Sequence, residues 1–124
     1  KKIAKTGKLV VITKSMKDVM CLYSLGIPAI APNSETQFVS DKVLEELKQR
    51  FKYIVLLYDN DLTGVRFTNK IRKQHPELIV SMIPRNTGAK DISDYYRDYG
   101  RKATQELIKL TIDKFKRNGI LRSN

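Results

Sequence analysis

Short apolar runs alternate along this chain with segments whose apolar residues recur every three or four positions. Residues 8–13, KLVVIT, read as a buried strand. In SMKDVMCLYSLG, Met16, Val19, Met20 and Tyr23 fall at helical spacing, and Gly26 supplies the stop. Ser15 with Asp18 fits a capping box in which Asp replaces the usual Glu or Gln. IPAIAP (27–32) predicts a short second strand ended by Pro32, and residues 38–51 an amphipathic helix through Val39, Val43, Leu44 and Leu47. YIVLLY (53–58) is the most clearly buried strand, residues 62–74 read as a helix, and LIVSMIP (78–84) is a fourth strand closed by Pro84. Beyond it, residues 85–102 are polar and turn-rich, which predicts a functional loop or linker. A basic helix over about residues 101–117 and a short tail complete the chain.

Strands rich in Val and Ile, alternating with helices, predict a compact α/β domain: a four-stranded, mainly parallel sheet covered by helices on both faces. At 124 residues the chain fits one domain, with its core over about residues 8–98. The absence of an initiator Met suggests a segment cut from a longer polypeptide. In such sheets ligands bind beyond the carboxyl ends of the strands, where the strand order reverses.

Composition narrows the chemistry. One cysteine, Cys21, excludes an internal disulfide and a cysteine-based zinc site, and its apolar surroundings suggest a small buried hydrophobe. The single His75 leaves little material for Ser–His or Cys–His catalysis. No apolar run approaches the ~18 residues of a membrane span. The 24 Lys and Arg against 13 Asp and Glu give a net charge of +11, which suits a polyanionic partner, nucleic acid before a membrane surface.

The stretch IVLLYDNDLTG, residues 54–64, ends a buried strand and then sets Asp59 and Asp61 one residue apart. Two such carboxylates repel unless a cation sits between them. Mg²⁺ takes hard oxygen ligands and keeps open positions for phosphate, so it fits there. Capping of the helix that starts near Leu62 explains one of the carboxylates but not both. Gly64, lacking a Cβ, lets backbone or phosphate come close.

Hydrophobic strand, D-x-D-x-x-G and helix together resemble the second motif of the Toprim domain, found in bacterial-type DNA primases, topoisomerases and some nucleases. Asp59, Asp61 and Gly64 occupy the motif positions. The first motif of that family is a strand ending in Glu, usually followed by Gly, with an Asp four residues after the Glu. KLVVITKSMKD matches the strand and Asp18, but Lys14 and Ser15 stand in the Glu and Gly positions. A third match lies in IPRNTGAKDISD, where Pro84, Gly88, Lys90, Asp91 and Asp94 are similar to a primase segment. Ser93 takes the slot in which the family's second acid usually stands. The resemblance covers about residues 8–98 and is closest to phage or mobile-element primases.

The resemblance implies a compact, Rossmann-like Toprim fold and Mg²⁺ or Mn²⁺ as cofactor. It makes Asp59, Asp61 and Asp91 metal ligands and Asp59 and Asp61 catalytic, with Asp18, Gly64 and Asp94 supporting them. A lysine cannot bind Mg²⁺. Lys14 either pairs with Asp59 or Asp61, or contacts phosphate beside the helix that Ser15 opens, or leaves a gap that another carboxylate fills. Glu35, in PNSETQ, is the candidate third catalytic carboxylate; alternatively it is a first-turn acid behind a Ser34 or Thr36 cap. Lys17, Arg85 and Lys90, with Lys14, are candidate phosphate contacts. Lys70, Arg72 and Lys73 read as complements of a helix dipole, and Tyr95, Tyr96 and Tyr99 as packing residues before base-stacking ones.

The functional expectation is therefore RNA primer synthesis by metal-dependent nucleotidyl transfer, in the cytoplasm of a bacterium or phage-infected host. The partners would be a single-stranded DNA template and nucleoside triphosphates, with a helicase and a zinc-binding domain in the parent protein. A non-catalytic nucleic-acid-binding module, favoured by Lys14, and a nuclease are the alternatives.

Overall fold

The computed structural model describes residues 7–32 and 40–123. In chain order the elements are β1 (Gly7–Thr13), α1 (Met16–Ser24), β2 (Ala29–Ile30), α2 (Asp41–Arg50), β3 (Phe51–Leu57), α3 (Leu62–Gln74), β4 (Ile79–Ser81) and α4 (Ile92–Ser123). A single 3-10 turn, Arg85–Thr87, precedes α4. The four strands form one sheet in the order β2-β1-β3-β4, every pairing parallel.

Alternation along the central strands builds two cores. Val11, Val55 and Leu57 face Val19 and Leu22 of α1 and Ile92 and Ile108 of α4. Their neighbours Val10, Ile12, Ile54, Leu56 and Tyr58 face Leu44 and Leu47 of α2 and Ile71 of α3. Because consecutive strand residues point to opposite faces, a run such as IVLL fills both cores at once, as expected of a parallel sheet covered on both sides.

Helix α3 spans the expected residues, and the edge strands are shorter than expected. β2 keeps only Ala29 and Ile30, between Pro28, which has no N–H, and Pro32. Helix α2 starts at Asp41, where Ser40 caps it by accepting the Val43 N–H.

The main correction concerns residues 85–102. Only residues 84–91 form the loop, and helix starts again at Ile92 rather than near 101. Asp91 accepts the Asp94 N–H at 2.9 Å, a helix cap, and Ile92 is buried beneath it. The polar look of ISDYYRDYG is that of a helix with one thin apolar edge. Gly100 interrupts α4 with φ of 91° and ψ of 180°, outside the range most side chains accept, so the helix has two arms. The second arm continues to Ser123, and its Arg101 and Gln105 donate to the carbonyls of Ser24 and Leu25 at the end of α1.

Candidate functional site

Strand order reverses between β1 and β3, since β2 lies outside β1 and β4 outside β3. Thr13 pairs with Leu57, so the two carboxyl ends stand level and release Lys14 and Tyr58–Asp59 side by side. A crevice at that point is where an open α/β sheet takes its ligand.

Three segments bring carboxylates to this crevice. Asp59 leaves the end of β3, Asp18 comes from the first turn of α1, and Asp91 from the cap of α4. One oxygen from each lies within 4.8 Å of the others. Asp18 and Asp59 are buried, at 2% and 5% exposure. Hydroxyls orient Asp18: Ser93 donates to Oδ1 at 2.6 Å and Thr13 to Oδ2 at 3.3 Å. Burial holds the Asp18 carboxyl above its ordinary range, opposed by the Ser93 hydroxyl and reinforced by the charge of Asp91. A hard divalent cation would relieve this crowding, and the donor set, all carboxylate oxygen, fits one.

Lysines surround the cluster. Lys14 Nζ lies 3.2 Å from Asp59 Oδ2, and Lys90 Nζ lies 3.8 Å from the same oxygen and 3.5 Å from Asp61 Oδ2. Lys17 Nζ is 3.4 Å from Asp91 Oδ2, and that carboxylate raises the lysine's proton affinity. These ammoniums stand where an anion approaching the carboxylates would meet them.

Asp61 is placed differently from Asp59. Its Oδ1 accepts the Gly64 N–H at 2.8 Å, which caps α3 and, with Lys90, keeps the carboxyl below its ordinary range. Asp61 is not among the three clustered carboxylates, whereas Asp18 is. Asp94 sits in the first turn of α4, accepting the Lys90 N–H at 3.3 Å and pairing with Arg97. Gly64 lies against the Asp59 backbone, where a Cβ would come within 2.1 Å of the carbonyl oxygen. Glu35 and the Arg85 side chain lie outside the described residues. Tyr95 packs on the core, and Tyr99 stacks against it and donates to the Thr87 carbonyl, so both brace the loop.

Asn60, between the two aspartates, was not singled out in the sequence. Its side-chain amide donates to the carbonyls of Ile83 at 3.1 Å and Ala89 at 2.7 Å, and its N–H to that of Lys90. These bonds clamp the loop carrying Lys90 and Asp91 onto the end of β3. Asn60→Ala is expected to lower stability by about 1–3 kcal/mol, since two carbonyls lose their donor, and to weaken divalent-ion binding. Thermal melts and Mn²⁺ titration of the variant check both effects; unchanged Mn²⁺ affinity would mean that the loop holds Asp91 without the clamp. Nothing local in the sequence marks Thr13 or Ser93 as a partner of Asp18; Ser93 stands out only by its place in the third motif.

Among the described residues no helix is long and apolar enough to cross a membrane. The sequence profile of the Toprim-like family matches residues 11–96, and the chain belongs to that family. Over 117 residues it is 26% identical to a DNA primase of Enterococcus faecalis, covering 88% of this chain and 18% of that protein. The chain thus spans less than a fifth of that relative. It superimposes with a TM-score of 0.62 and 17% identity on the crystal structure of the primase fragment of the bacteriophage T7 primase-helicase protein, covering 88% of this chain and 45% of that one. A second match, with a TM-score of 0.59 and 16% identity, covers 86% of this chain and 54% of the other. It comes from a structure of bacteriophage T7 lagging-strand DNA polymerase interacting with primase domains of two gp4 subunits bound to an RNA/DNA hybrid and dTTP. The fold is that of a Toprim domain related to DNA primases.

Proposed function

We propose that this chain is the metal-binding Toprim unit of a DNA primase-type protein and serves nucleotidyl transfer in RNA primer synthesis. The observation that carries this reading is the convergence of Asp18, Asp59 and Asp91, from three separate segments, within 4.8 Å at the strand switch point. Asp18, Asp59 and Asp91 would hold Mg²⁺ or Mn²⁺, and the ion would supply charge stabilisation at a phosphoryl centre. Lys14, Lys17 and Lys90, held beside these carboxylates, would meet the phosphate oxygens of a bound nucleotide. A single-stranded DNA template and nucleoside triphosphates are the partners, and a helicase and a zinc-binding domain belong to the longer parent. The whole chain, residues 1–124, forms one Toprim unit of that parent.

One observation favours a second reading. Lys14 already lies on Asp59 at 3.2 Å, so a built-in ammonium neutralises one of the carboxylates. In that case the domain binds nucleic acid without turning substrate over.

Titration of Mn²⁺ into the wild type and Asp91→Asn tests the metal centre. The variant is expected to bind about tenfold more weakly or worse, on the scale seen when metal sites lose supporting groups. Equal affinities would sink the metal centre. Primer synthesis by the longer parent then separates the two readings: it collapses in Asp59→Asn if the domain is catalytic and is unchanged if it only binds.

A further inference from the structure

The lysines beside the carboxylate cluster are held by it, while helix α3 carries cations that no acid answers among the described residues. Its sequence, LTGVRFTNKIRKQ, contains Arg66, Lys70, Arg72 and Lys73 and neither Asp nor Glu. Among the described residues none of the four forms an ion pair, and all are exposed. Arg66, Lys70 and Lys73 are spaced four and three residues apart, so they share one face of the helix. With Asn69 and Gln74 they line a single shallow depression of about 410 Å³. Helix α2, by contrast, interleaves Asp41, Glu45 and Glu46 with Lys42, Lys48 and Arg50.

Complementing the helix dipole accounts for Arg72 and Lys73, which lie in the last turn. It does not account for Arg66, in the second turn, which lies away from the C-terminal end where the dipole favours a cation. Arg66 with Lys70 and Lys70 with Lys73 are also like-charge neighbours that weaken the helix itself. A polyanion laid along this face would remove that cost. Amide side chains from Asn69 and Gln74 add neutral donors of the kind that contact phosphate and sugar.

We propose that this face of α3 is a phosphate-tracking surface for single-stranded nucleic acid. The proposal rests on the primase-type reading and extends it by giving the strand a path. Helix α3 begins at Leu62, capped by Asp61, which shares Lys90 with Asp59, and returns along the sheet from the carboxyl end of β3 toward the start of the parallel strand β4. Arg66 to Lys73 spans roughly 10 Å along the axis, enough to face about two or three consecutive phosphates. Recognition is by backbone charge and is therefore independent of base sequence.

The test is fluorescence anisotropy of labelled oligo(dT) with the 124-residue chain across a series of salt concentrations. The triple variant Arg66→Gln, Lys70→Gln, Lys73→Gln is expected to bind at least tenfold more weakly. Its plot of log affinity against log salt should be shallower by about 2, for three lost contacts at roughly 0.7 each. The charge-keeping variant Arg66→Lys, Lys70→Arg, Lys73→Arg should match the wild type, which separates loss of charge from loss of fold. An unchanged slope in the triple Gln variant overturns the proposal. So does retained oligo(dT) binding with loss of binding to phosphatidylserine vesicles, which would assign the face to a membrane. The triple Gln variant is expected to bind Mn²⁺ as the wild type does, since none of its three positions belongs to the carboxylate cluster. Failure of the metal centre and failure of this surface are thereby read on separate signals.

Discussion

Replacing Gly64 with alanine is expected to lower the melting temperature by about 10 °C and to disrupt divalent-ion binding at the same time. The reason is local and steric. The added Cβ would lie 2.1 Å from the carbonyl oxygen of Asp59 and 2.9 Å from its carbonyl carbon, and both atoms are backbone. No rotamer change relieves such a contact, so either the first turn of α3 moves or the end of β3 does. The first option breaks the cap that Asp61 makes to the Gly64 N–H; the second displaces Asp59 from Asp18 and Asp91. Forcing an extra carbon into a packed contact costs about 2–3 kcal/mol, which yields the expected shift for a domain of this size. Thermal melts monitored by circular dichroism, together with Mn²⁺ titration, measure both effects. A variant that melts with the wild type and binds Mn²⁺ equally well would show that this approach is not what fixes the site.

Asp18→Asn is expected to act in opposite directions on stability and on ion binding. In metal-free buffer at neutral pH the variant should be more stable than the wild type by about 1–2 kcal/mol, or several degrees. The carboxylate is buried at 2% exposure beside two other carboxylates, and its ionised form is the one penalised. The hydrogen bonds survive the exchange: Asn Oδ1 can still accept from Ser93, and Nδ2 can donate to the Thr13 hydroxyl.

The pH dependence follows from the sign of the shift. Burial raises the Asp18 pKa in the folded chain above its ordinary 3.8, so the folded state holds that proton more tightly than the unfolded state does. The stabilising contribution of the protonated form is complete below 3.8 and is lost as pH rises through the folded value. Wild type and variant should therefore converge in acid and separate above it. Adding Mn²⁺ should then reverse the ranking, because only the wild type gains the linkage stabilisation of a bound ion. Melting curves of both proteins across pH, with and without Mn²⁺, test this. A wild type that is the more stable in metal-free buffer at neutral pH would show that the lysines already compensate the cluster fully.

Several features of the fold were legible because they follow from local rules. KLVVIT and YIVLLY have no polar face, so strands buried on both sides were the only economical reading. Helix α3 was delimited correctly because Asp61 offers a cap at one end and His75-Pro76 breaks the pattern at the other. The first arm of α4 was misjudged because its apolar edge is little more than Ile92 and Tyr95, and periodicity needs more repeats than that to stand out.

The site was legible in part. Asp59 and Asp91 stand out from their motifs, and an ion pair with Asp59 or Asp61 is one of the three readings that the sequence leaves open for Lys14; the structure has it on Asp59. What separates Asp18 from Asp61 is not in the linear spacing. Both stand within one turn of a helix start, and either could have been the cap. The sequence by itself determined the strand–helix alternation, the two-sided core and the set of acids and lysines available at the strand ends, because each depends on residues near one another in the chain. Only the tertiary structure decided that Asp61 turns to the Gly64 N–H while Asp18 turns to Asp59 and Asp91. That choice depends on the parallel register of β1 against β3, on the Asn60 clamp and on the Ser93 hydroxyl, 75 residues from Asp18 in the chain, which local preferences along a sequence do not encode.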